Sequence, residues 1–185
     1  MILCANPLAQ FQSYQAEIEE AVLTVMRGNR YVLGDEVFSL EQEFADYIGT
    51  TTAVGVANGT DAIELSLRAL DIGANDEVIT VSHTAVATVA AVEAVGASPV
   101  LVDVESQFYT LNPFQLEEVT TAKTKAVIVV HLYGQAGNME EIKSFCSKHS
   151  LFLIEDVSQA HGAKYNGKRL GSIGDIGCFS CYPTK

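Results

Sequence analysis

The sequence predicts an α/β fold: a mostly parallel sheet sandwiched by helices. Three observations predict it. Short Val- and Ile-rich runs alternate with helix-period stretches after residue 50. Most of those runs do not alternate with polar residues, as expected of strands buried on both faces. Finally, each run is followed by small or polar residues, where a parallel sheet turns toward its ligand edge.

Two amphipathic helices come first. Phe11, Tyr14, Ile18, Val22 and Val25 recur at three- and four-residue steps, and Gly28-Asn29 ends the pattern. Val37, Leu40, Phe44 and Tyr47 form a second stripe, stopped by Gly49. Strands are then predicted at 53–57, 78–81, 99–102, 126–130 and 151–154, with helices at 61–70, 84–95, 113–119 and 139–149. The stretch 171–180 reads as a loop feeding one more short strand. The chain stops at Lys185, soon after that loop, and is expected to be part of something longer: an incomplete domain over 1–185.

With 185 residues, 48% of them hydrophobic and 18% charged, the chain has ample material for a core and is too apolar for disorder. Its net charge of −12 argues against nucleic-acid binding, which needs clustered Lys and Arg. The charge is uneven: residues 1–122 carry 18 acids and 3 bases, residues 123–185 carry 5 and 8. The longest weakly polar run, 84–97, contains Glu93 and is too short to span a membrane. No basic segment precedes an apolar one at the N-terminus, so a signal peptide is not expected. Four cysteines are too few for a disulfide scaffold, and a cytoplasmic location is expected.

The chemistry-bearing residues follow the strands. Asn58-Gly59-Thr60-Asp61 joins a strand to a helix, where backbone N–H groups and a Thr hydroxyl suit a phosphate. An ordinary helix cap would look the same. The segment lacks the Gly-Lys-Ser/Thr of a P-loop and the Gly-x-Gly-x-x-Gly of a dinucleotide site. Asp156 ends the run 151–155 and either faces a ligand or caps the next helix, with Gln159 three residues on. Cys178-x-x-Cys181 has no second cysteine pair, so buried thiols are preferred to a metal or redox site; no metal is expected.

Taken together, five ordered blocks carry a resemblance: Asn58-Gly59-Thr60-Asp61-Ala62 with Ser82-His83-Thr84-Ala85-Val86-Ala87-Thr88; His131-Leu132-Tyr133-Gly134; the run 154–162; 171–175; and Cys178 through Lys185. The sequence resembles the opening half of the DegT/DnrJ/EryC1/StrS family, sugar aminotransferases dependent on pyridoxal 5'-phosphate (PLP). The resemblance implies a fold-type-I large domain whose remainder, with the small C-terminal domain, is absent. It makes Lys185 the Schiff-base lysine, Asp156 the partner of the pyridine nitrogen, and Gln159 the neighbour of the phenolic oxygen. Gly59, Thr60, Asp61 (through its N–H) and Ser180 fall at phosphate-binding positions.

Glutamate is the implied amino donor, a keto-sugar nucleotide the acceptor, and a homodimer the implied assembly. Lys185 separates the sequence from the dehydratase branch, which carries a histidine there. Ala85 departs from the family by lacking the ring often stacked on the cofactor; His83 is the available substitute. A non-catalytic PLP-binding or regulatory module, or an inactive piece of the enzyme, are the alternatives.

Overall fold

In the computed structural model, which describes residues 5–185, five parallel strands form one sheet in the order β2-β1-β3-β4-β7. They are β1 (Glu77–Val81), β2 (Ser98–Val102), β3 (Thr124–Val130), β4 (Phe152–Asp156) and β7 (Ile176–Cys178). Consecutive residues are buried along β1, β3 and β4, so both faces of the central sheet are covered. β2 is half exposed and holds Pro99, which cannot donate to a ladder and is tolerated at an edge. Because every pairing is parallel, the carboxyl ends of all five strands share one edge.

Helices α4 (Gly59–Ala69), α5 (Val86–Ala94), α6 (Leu116–Val119) and α7 (Met139–His149) pack on the sheet: α4 on β4 and β7, α5 on β1 and β2, α6 on β2, α7 on β4. The core they close runs from Ile63 and Leu67 through Ile79, Ile128 and Ile154 to Ile142. The sole buried hydroxyl in β1, Thr80, donates to the Ile128 carbonyl of β3 at 3.0 Å, which removes the cost of burying it.

Three expectations need correction. The run 53–57 pairs with no strand among the described residues. Val54 and Val56 are exposed, and the Gly55 N–H donates to the Glu41 carboxylate at 2.7 Å instead of to a ladder. A β-prone sequence becomes a strand only beside a partner backbone. The first predicted helix is two, α1 (Pro7–Ser13) and α2 (Gln15–Arg27), broken at Tyr14 with φ −128°. There the Ser13 hydroxyl takes the Ala9 carbonyl, competing with the helical ladder. The third is an omission: a two-stranded hairpin, β5 (Lys164–Tyr165) and β6 (Lys168–Arg169), turns on Asn166-Gly167, both at positive φ.

Helix α3 (Asp35–Ile48) ends as expected on Gly49 in the left-handed region. Its Phe44 ring meets Phe179 edge-on at 4.9 Å, and Arg169 lies 4.0 Å over the Tyr47 ring. These contacts tie α3 to Phe179, just past β7, and to Arg169, between α7 and β7. Gly171 permits that approach: its φ is +90°, and a Cβ there would overlap the Phe179 ring. Cys4 lies outside the described residues.

Candidate functional site

The α4 N-terminus is built by Asn58, whose extended backbone and side chain cap the helix by accepting from the Asp61 N–H at 2.9 Å. The first ladder bond runs from the Ala62 N–H to the Asn58 carbonyl, so the N–H groups of Gly59 and Thr60 precede the ladder. Of the predicted anion donors, Asp61 thus has its N–H engaged by the cap, and Gly59 and Thr60 do not.

Gly59 is buried where three segments meet. A Cβ there would sit 2.9 Å from Ser180 Cβ and 3.3 Å from Ser158 Oγ. The absent side chain is what brings two hydroxyl-bearing residues against a helix N-terminus. Ser180 lies two residues beyond β7, and the register that pairs Asp156 with Cys178 carries its segment alongside β4. Ser158 was not singled out from sequence; its only signal was its place in the block after Asp156.

Asp156, the last residue of β4, is buried. Its Oδ1 accepts from the Ser158 N–H at 3.1 Å and its Oδ2 from the Thr88 hydroxyl at 3.0 Å. A capped helix does not follow; residues 157–163 are turns, so the cap alternative for Asp156 does not hold. Gln159 is exposed, and its Oε1 accepts from the Tyr133 N–H at 3.0 Å. Because the Tyr133 N–H meets the amide oxygen, the NH2 is the donor end of Gln159.

His83 and Tyr133, which follow β1 and β3, meet at 3.3 Å between Nε2 and the phenolic oxygen, with ring centroids 6.0 Å apart. Ala85 is exposed at the N-cap of α5 and carries no ring. Tyr133 adopts φ +57°, a conformation uncommon outside glycine.

Lys185 is exposed, and its N–H donates to the Tyr182 carbonyl. Its charge reaches His161: burial first, then the Lys185 ammonium, hold that imidazole below its ordinary pKa, against an opposing hydrogen bond with the Ser180 backbone. No hydrogen bond joins Lys185 to Asp156. Cys178 lies 3.3 Å from the Ser66 hydroxyl, and burial pushes its thiol up to about 12. Among the described residues, no group of three or more His, Cys, Asp or Glu could hold a metal ion.

With this geometry in place, the chain can be set against known proteins. A model of the DegT/DnrJ/EryC1/StrS aminotransferase family matches residues 12–185. The chain belongs to that family. Its relatives in the DegT/DnrJ/EryC1/StrS group include the dTDP-3-amino-3,6-dideoxy-alpha-D-galactopyranose transaminase of Aneurinibacillus thermoaerophilus, 50% identical over 90% of this chain and 46% of that protein. The pleiotropic regulatory protein of Geobacillus stearothermophilus is 43% identical over 95% of this chain and 47% of its own length. The crystal structure of S. venezuelae DesV superimposes with a TM-score of 0.96 at 41% identity, covering 98% of this chain and 49% of that one. The chain spans about half the length of the curated relatives it matches.

The donor set fits the cofactor that the DegT/DnrJ/EryC1/StrS resemblance implies. A phosphate needs N–H and hydroxyl donors on a helix N-terminus, which Gly59, Thr60, Ser158 and Ser180 supply. A ring nitrogen that is to stay protonated needs a carboxylate, and a phenolic oxygen needs a donor; Asp156 and the Gln159 amide are of those types.

Proposed function

We propose that this chain supplies the cofactor-binding part of a PLP-dependent transfer of an amino group from glutamate to a keto-sugar nucleotide. The observation that carries the reading is the Gly59–Ser158–Ser180 cradle set beside the buried carboxylate of Asp156. The sugar-nucleotide acceptor rests on the relatives, which are transaminases of such sugars.

PLP, when bound, supplies an electron sink for the pair released as a Cα–H bond breaks. Everything else is the work of the chain. The α4 N-terminus and the two serine hydroxyls hold the phosphate and so fix the ring's orientation. Asp156 keeps a proton at the pyridine nitrogen, where an adjacent carboxylate favours the charged form. The Gln159 NH2 orients the phenolic oxygen. Lys185 Nζ would hold the cofactor covalently and, as a free amine, would take and return the proton of the substrate Cα. A homodimer working in the cytoplasm is part of the same reading.

The test is an absorbance spectrum with PLP before and after borohydride, with mass analysis of the peptide containing Lys185. The expected result is a visible band that reduction converts to a fixed adduct on Lys185, lost in K185A. An adduct elsewhere, or a spectrum unchanged in K185A, refutes the assignment.

One observation favours a second reading. The Geobacillus relative is named a regulatory protein, so a PLP-binding module without turnover is the alternative. Amino transfer from glutamate to a keto-sugar nucleotide decides between them.

A further inference from the structure

Thr88 is fully buried in the first turns of α5, on a helix otherwise composed of Ala, Val and Glu save Thr88 itself. A buried hydroxyl needs a partner, and this one has two: Asp156 Oδ2 at 3.0 Å and Thr84 Oγ1 at 2.9 Å. A threonine has one hydroxyl hydrogen. Thr88 donates that hydrogen to Asp156 Oδ2, so Thr84 must donate to Thr88. The direction of the chain is therefore fixed: Thr84 to Thr88 to Asp156. Asp156 Oδ1 is held separately by the Ser158 N–H at 3.1 Å, leaving the carboxylate gripped at both oxygens from two different elements.

We propose that Thr88, backed by Thr84, is a positioning residue for Asp156: the hydroxyl chain locks the carboxylate in the rotamer that would face a ring nitrogen. The inference rests on the PLP reading above and deepens it. It assigns a role to two threonines at the start of α5, a helix that takes no side-chain cap from either. A valine in place of Thr88 keeps the volume and removes the hydroxyl, while a serine keeps the hydroxyl.

The experiment measures the PLP dissociation constant of the protein by titration, together with the 15N shift of the ring nitrogen in labelled PLP. Wild type, T88V, T88S, D156N and the T88V/D156N pair are compared. Loss of a hydrogen bond to a charged group predicts affinity about tenfold weaker in T88V, with the nitrogen moving toward its unprotonated shift. T88S should restore both. In the D156N background T88V should change neither, because the carboxylate through which Thr88 acts is gone. T84V should give the same direction with a smaller change, and it carries the test if T88V does not fold.

A T88V protein with wild-type affinity and nitrogen shift overturns the inference while the PLP reading stands. An equal T88V effect with or without Asp156 also overturns it, since that would mark simple packing. Wild type that binds no PLP overturns the cofactor reading and this inference with it.

Discussion

His131 Nε2 donates to Glu155 Oε2 across 3.1 Å, with both side chains fully buried. The Gly137 N–H donates to His131 Nδ1 at 3.1 Å, which fixes the ring as the Nε2–H tautomer. Glu155 also accepts from the N–H groups of Gly171, Ile173 and Gly174 at 2.7–2.8 Å. Four donors on one carboxylate pin the 171–174 loop to β4, next to Asp156. Burial alone would raise this carboxyl, but the bonds from His131, Gly171 and Gly174 outweigh it and hold it below the ordinary range.

That geometry predicts acid lability. The folded form keeps Glu155 ionised at pH values where the unfolded chain, titrating near the usual 4.5, takes up a proton. Its stabilising contribution is therefore full above about pH 5 and falls as pH drops through the lowered folded value. In E155Q the amide offers a donor where only acceptors are wanted, for a loss of about 3 kcal/mol or about 10 °C in melting temperature near neutrality. Thermal melts from pH 7 to 3 should show the variant's deficit shrinking toward acid. A deficit that stays constant across the range would refute the ionised assignment.

His161 reports on Lys185. Burial is the larger cause of its lowered pKa and the Lys185 charge the next. Replacing that charge, as in K185M, should move the imidazole midpoint part of the way back toward its ordinary value, followed by NMR of the ring protons. A midpoint that is unchanged or falls would show that Lys185 does not act on this ring.

Gly59 leaves room for Ser180 and Ser158, and G59A removes it. With Cβ 2.9 Å from Ser180 Cβ, the serine segment must shift, at a cost of about 1–3 kcal/mol. PLP affinity should fall at least about tenfold, a loss of one or more donor contacts. The control is N58A, which weakens the α4 cap by about 1 kcal/mol without filling the cradle. Equal PLP affinity in G59A and wild type would exclude the cradle as a phosphate site.

Thiol reactivity should divide the cysteines. Burial pushes Cys146 and Cys178 up to about 12, so at pH 8 both are protonated and shielded. Iodoacetamide should label exposed Cys181 within minutes and spare Cys146 and Cys178 until the protein unfolds, as mapped by peptide mass. Labelling of Cys178 in the native protein at the rate of Cys181 would contradict its burial.

The legible parts of the fold were those governed by local periodicity. Apolar runs without polar alternation marked β1, β3 and β4, because strands covered on both faces need none. The same logic misread 53–57, which pairs with no strand among the described residues. The break at Tyr14 turned on a hydroxyl competing for one carbonyl, a contest that stripe-counting does not see. The 164–169 hairpin, by contrast, was announced by Asn166-Gly167 and passed over.

By itself, the sequence determined the class of the fold, the family, and which residue types stand at the start of α4, at or beyond the end of β4, and beyond β7: Gly59, Thr60, Asp61, Asp156, Gln159, Ser180 and Lys185. Order along the chain suffices for that, since parallel strands bring their carboxyl ends to one edge. Only the tertiary structure decided which of those groups is free to act. It engaged the Asp61 N–H with Asn58, engaged the Gln159 amide oxygen with the Tyr133 N–H, and brought Ser158 and Thr88 in from separate elements. A hydrogen bond between residues 68 positions apart, as from Thr88 to Asp156, leaves no periodicity in either segment. It exists because α5 and β4 belong to one packed layer system, and packing is a property of the whole chain.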